Sequence, residues 1–172
     1  YESLKANTTG IDNVALGWQS LFKSTTAQQN TAIGTMSLAC NTVGCDNVAI
    51  GSRAMCANTT GNLNVSVGRS ALRANTTGKC NTAIGALALT SNTTGNYNVG
   101  LGAYNLECNV SGSYNVAIGY EGLNKSLGDR NVAIGYQVLK DNTTGTDNLA
   151  IGFLALCKNT TGVSNLAIGR DS

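Results

Sequence analysis

The feature that most constrains this chain is a repeat. Asn-Val-Ala-Ile-Gly or a near variant begins at Asn13, Asn30, Asn47, Asn64, Asn81, Asn98, Asn115, Asn131, Asn148 and Asn165. Every step is 17 residues, except one of 16 from Asn115 to Asn131. A second block, Asn-Thr-Thr-Gly, alternates with the first. It is intact at Asn7, Asn58, Asn75, Asn92, Asn142 and Asn159 and degenerate from Ser24, Asn41 and Asn109. The short step falls where Ser126-Leu127-Gly128 has lost one residue of this turn. The period fills the 172 residues, which predicts a single repeat domain over 1–172 with no linker or second domain.

The repeat reads as one coil of a solenoid. Val-Ala-Ile is a short β-branched strand closed by Gly. The Ala-Leu stretch that follows is a second extended segment, and Asn-Thr-Thr-Gly is turn chemistry. A period of 17 is too short for helical repeat units. The fold class expected is therefore all-β: a parallel β-solenoid, or β-roll, of about ten 17-residue coils with uncapped ends. The chain starts and stops inside a repeat, which predicts stacking on further copies or excision from a longer fibre.

Aligned columns predict the packing. The fourth position of the repeat is Leu16, Ile33, Ile50, Val67, Ile84, Leu101, Ile118, Ile134, Ile151 and Ile168. The ninth is Leu or Met throughout, including Leu38, Leu72 and Leu89. These two columns are the expected dry core. The third position points the other way along the strand and is almost always Ala. That makes Ala49, Ala83, Ala117 and Ala133 an expected surface for packing on another chain. Aromatics at the sixth position, Trp18, Tyr120, Tyr136 and Phe153, are expected at the same interface.

Composition excludes several functions. With 11 basic residues, 9 acidic residues and no His, the chain has neither an electrostatic footprint for nucleic acid nor the commonest general base or metal ligand. No apolar run is long enough to span a membrane, and no signal peptide is visible at Tyr1. The six Cys include no CxxC pair, so no zinc site is expected, and the calcium-binding nonapeptide is absent. No cofactor or enzymatic activity is expected, because carboxylates such as Glu107 and Glu121, or Asp129 and Asp141, occupy different repeat positions.

Register brings Cys40 and Cys56 side by side on consecutive coils, a candidate disulfide. Cys40 with Cys45 across the Asn41–Gly44 turn is an alternative, and free thiols are a third reading. Cys80, Cys108 and Cys157 have no partner in a neighbouring coil, which marks them as candidate inter-chain thiols. The Asn-x-Ser/Thr sequons read as turn chemistry. Both Asn columns are expected to form hydrogen-bonded ladders.

The Asn-Val-Ala-Ile-Gly-x-x-Ala block resembles the head repeats of YadA-like trimeric autotransporter adhesins, which carry an N-S-V-A-I-G-x-x-S/A motif on a trimeric left-handed β-roll. The full consensus, with A-I-G-x-x-A-L and N-T-T-G, also looks like repeats of phage tail fibres. The period here is longer than that of the adhesins. The resemblance implies an extracellular, cell-surface or virion fibre. The expected function is a structural building block that associates with copies of itself as a filament or trimer. A host-surface glycan-binding shaft is one alternative, and an ice-binding protein is another.

Overall fold

A computed structural model describes residues 1–172 and is all β. Ten parallel strands form one sheet in sequence order. They are β1 (Val14–Leu16), β2 (Thr31–Ile33), β3 (Val48–Ile50), β4 (Val65–Val67), β5 (Thr82–Ile84), β6 (Val99–Leu101), β7 (Val116–Tyr120), β8 (Val132–Tyr136), β9 (Leu149–Phe153) and β10 (Leu166–Ile168). Equivalent residues face each other from coil to coil, for example Ala32 with Ala49 and Ile33 with Ile50. The 16-residue coil keeps this register, pairing Ala117 with Ala133, because its deletion lies in the turn. Nine strand intervals of about 4.8 Å make a rod roughly 43 Å long.

The ladder extends far beyond the strands: of 111 backbone hydrogen bonds, 88 lie outside them. The segment after each strand is not a second strand but a tight corner. In every complete coil the seventh, ninth and last residues have positive φ, as at Leu87 (60°), Leu89 (52°) and Tyr97 (57°). Left-handed backbone costs a non-glycine residue about 1–2 kcal/mol. Here it turns the chain sharply enough to close a coil in 17 residues while each turn still bonds to its neighbours, as Leu89 N–H does to Asn105 O at 3.0 Å. The strand-closing Gly sits at φ between 113° and 140°, and a Cβ on Gly85 would meet the Gly102 carbonyl carbon and oxygen at 2.6 Å.

The core differs from the expectation on one face. The Leu column is inside: Leu38, Leu72 and Leu89 are fully buried. Opposite them lies the Ala column, with Ala49, Ala83, Ala117 and Ala133 also fully buried. Those alanines are therefore not an external interface. The Ile column points outward instead: Ile50 is 37% exposed, Ile84 43%, Ile118 36% and Ile168 66%, while Ile33, Ile134 and Ile151 are half-exposed. The cause is volume. A coil this short encloses one Leu, the methyl of the third-position Ala and a small eighth-position residue such as Ala71 or Ala88. A second branched side chain would overpack that interior.

Two asparagine ladders flank this narrow core. Asn81 Nδ2 donates to Asn64 Oδ1 (3.2 Å) and to Gly95 O (2.8 Å), and Asn81 Oδ1 accepts from the backbone N–H (3.0 Å) and Nδ2 (3.2 Å) of Asn98. The pattern repeats from Asn13 to Asn165. In the second ladder Asn75 Nδ2 donates to Asn58 Oδ1 (2.8 Å) and to Gly78 O (3.1 Å). These buried amides take the place of apolar volume that the coil has no room for, and each satisfies several backbone groups.

Candidate functional site

The candidate site is the outer face of the ten-stranded sheet. Strand alternation places the second and fourth repeat positions outward together, and the sixth continues the row. The result is a flat apolar surface in which Val48, Ile50, Val65, Val67 and Ile84 stand beside one another on β3, β4 and β5. From strand spacing and rise, the face measures roughly 43 Å by 10 Å over three-residue strands, or about 430 Å², and it widens where β7, β8 and β9 run to five residues. Apolar patches larger than a few hundred Å² are uncommon on monomeric proteins.

The sixth-position aromatics line the edge of this face. Tyr120, Tyr136 and Phe153 are 39%, 41% and 42% exposed, and Trp18 45%. Tyr120 stacks on Tyr136 at 5.6 Å and Tyr136 on Phe153 at 5.0 Å, with ring planes within 10°. Where these rings occur, the strands lengthen from three residues to five. Tyr104 closes one end of the stack edge-on at 5.8 Å, and the Arg170 guanidinium covers the other at 5.2 Å. On the opposite edge Tyr97 stacks on Tyr114 at 5.1 Å. The ring faces are thus occupied by each other, and only ring edges are presented outward. A sugar that stacks on aromatic faces finds none of them free in the Tyr120, Tyr136 and Phe153 stack.

Ion pairs between consecutive coils join some of the charges along the rod. Lys140 Nζ reaches Glu121 at 2.6 Å, Lys125 reaches Asp141 at 2.8 Å, and Arg130 binds both Asp147 oxygens at 2.6 and 3.0 Å. The hydrogen bond from Lys140 holds Glu121 below its ordinary pKa and in return raises Lys140. Glu107 accepts from Asn124 Nδ2 at 3.0 Å, and Asp129 from Ser113 N–H at 2.7 Å. Each of the four carboxylates singled out from the sequence therefore has its own partner, and none of them faces another. No cluster of three or more Cys, Asp or Glu converges as a metal centre.

Turn residues are equally committed. The first Thr of each intact turn but the last donates its hydroxyl to the carbonyl of the next coil, as Thr76 does to Thr93 at 3.1 Å. This leaves the second Thr as the only exposed row, without the paired Thr-x-Thr array of a flat ice-matching face. The sequon residues Asn58, Asn64, Asn75, Asn92, Asn109 and Asn142 are fully buried in the ladders. Cys40, Cys45, Cys56, Cys80, Cys108 and Cys157 are all free thiols. Cys108 is exposed and the others are half-buried.

Comparison with protein-family models, curated proteins and solved structures finds no match. No helix is long and apolar enough to cross a membrane.

Proposed function

We propose that this chain is a structural segment of an extracellular, cell-surface or virion fibre, and that copies associate through the outward Val/Ile face of the sheet. The observation that supports this most directly is the face itself. Ten strands present apolar side chains in register on the side that the coil's own core does not use. About 430 Å² per copy is roughly half of the 800 Å² that each partner contributes to a standard stable interface. The aromatic edge adds to it, and Tyr is a residue type enriched at interfaces. Continuous backbone ladders and side-chain amide ladders make the coil stiff along its axis, which suits a shaft. The resemblance to adhesin heads and tail-fibre repeats points the same way and favours a filament or a trimer.

The test is sedimentation equilibrium of the purified chain beside a variant carrying Ile84→Ser, Ile118→Ser and Ile134→Ser. Association that is concentration-dependent in the parent and lost in the variant is the expected result, with both retaining β circular dichroism. A parent that stays monomeric up to high micromolar concentration overturns the proposal.

A further inference from the structure

Two of the six thiols meet across one coil boundary. Cys40 is the eleventh residue of its coil and Cys56 the tenth of the next, and the Cys40 backbone N–H donates to the Cys56 carbonyl at 3.0 Å. Strands bonded in this way lie about 4.8 Å apart and rise about 3.3 Å per residue, so a diagonal pair has its Cα atoms about 6 Å apart, inside the range of about 4.4–6.8 Å that a disulfide requires. The two remaining residues of this crossing are Ala39 and Ala57. The crossing is therefore a block of four residues with thiols on one diagonal and methyl groups on the other; Cys56 Sγ rests against Arg73 O of the following coil at 3.8 Å and turns from it towards Cys40 when the bond forms. Both cysteines are half-buried at the outer corner and neither belongs to the core.

The other thiols lack this arrangement. Cys45 Sγ donates to Val43 O at 3.3 Å within its own turn. Cys80, Cys108 and Cys157 have no cysteine at the facing positions of the adjacent coils.

We propose that Cys40 and Cys56 form a redox-controlled staple between consecutive coils. The reaction is thiol–disulfide exchange with a low-molecular-weight disulfide such as oxidised glutathione. One protein thiol gives its proton to solvent, attacks a glutathione sulfur and expels one glutathione thiolate. The second protein thiol, likewise deprotonated, attacks the mixed disulfide at the protein sulfur and expels the other. Two protein thiols are oxidised to the Cys40–Cys56 bond, and one glutathione disulfide is reduced to two glutathione molecules. Burial raises the Cys56 thiol pKa, while Arg73 and Arg53 beside it act in the opposite direction and favour the thiolate. The bond closes a loop of 17 residues, one whole coil, so the coil cannot part from its neighbour at that corner. The staple operates within one chain and stands whether or not copies associate.

The test uses the full chain, incubated with oxidised glutathione, alkylated and digested with trypsin without reduction. Residues 24–53, which carry Cys40 and Cys45, are expected covalently joined to residues 54–69, which carry Cys56. The melting temperature should rise by roughly 5–10 °C over that of the reduced chain. Cys45→Ser should keep the link, and Cys40→Ser and Cys56→Ser should each abolish it. Recovery of 54–69 with an alkylated Cys56, a bridge confined to 24–53, or a link that survives Cys40→Ser overturns the proposal. The reduced and oxidised forms are the same polypeptide, so the comparison does not depend on any variant folding.

Discussion

Ser24 is the short side chain that Ala27 permits. Where the turn keeps both its Asn and its Gly, a Cβ on the glycine would collide with the Oδ1 of the ladder Asn three residues earlier and with the turn carbonyl of the next coil, as Gly44 would with Asn41 and Gly61, and Gly61 with Asn58 and Gly78. The coil with Ala27 in place of that glycine has Ser24 in place of that Asn. The exchange breaks the ladder: Ser24 Oγ is buried without a hydrogen-bond partner. Ser24→Asn alone should therefore destabilise the chain, whereas Ser24→Asn with Ala27→Gly should join Asn7 to Asn41 through a continuous ladder. We expect the double variant to gain about 1–2 kcal/mol over the parent and a coupling energy above about 1 kcal/mol in a double-mutant cycle. Additive denaturation energies would refute the pairing.

The inverted strand predicts an asymmetry between two aliphatic columns. Leu89→Ala empties a fully buried site and should cost about 2–5 kcal/mol. Ile84→Ala, on the outer face, should cost the single chain less than about 1 kcal/mol. Urea titration at a concentration where the chain is monomeric separates the two, and comparable losses would place the Ile column back in the core.

Asn81→Asp removes two donors and sets a carboxylate oxygen against Gly95 O and Asn64 Oδ1. The buried acid should bind its proton more tightly folded than unfolded, so its penalty is small below the unfolded pKa of about 3.9 and grows as pH rises towards the folded value. At neutral pH a loss of about 3 kcal/mol or more is expected. A variant whose melting temperature did not fall between pH 4 and pH 7 would contradict it.

The parent should behave in the opposite sense. Glu121, Asp141 and Asp147 are held below their ordinary values, first by hydrogen bonds from Lys140, Lys125 and Arg130 respectively. A depressed folded pKa stabilises above the unfolded value and loses that contribution as pH falls through the folded value. The ladders are neutral amides and do not titrate. Thermal melts should therefore be flat from about pH 5 to 8 and fall only in acid, by less in Lys140→Met than in the parent. A pH-dependent melt across the neutral range would argue against uncharged ladders as the main support.

Coil length, strand position, parallel register and the two Asn ladders were all legible in the sequence, because a fixed period dictates which residues stack. The side of the strand that faces inward was not. Alternation separates Ala83 from Thr82 and Ile84 but carries no sign, and neither set is charged. The sign comes from the left-handed corners, such as Leu87 and Leu89, which narrow the coil until Ala and Leu fill it. A Leu at positive φ leaves no trace in composition, since that conformation is associated with Gly and Asn. The aromatic rows at the sixth position could be read from the alignment, but their stacking with one another, which occupies the ring faces, could not.

Trp18 sits in the first complete coil, while the stacked rings of Tyr97 with Tyr114 and of Tyr120, Tyr136 and Phe153 occupy the later coils. The molecule therefore carries a separate optical reporter towards each end. Indole fluorescence follows the coils near the amino terminus, and the near-ultraviolet dichroism of the tyrosine stacks follows those towards the carboxyl terminus. If the rod melts as one unit, the two signals share a midpoint. If it peels from an end, they part, and which signal moves first names the end that opens.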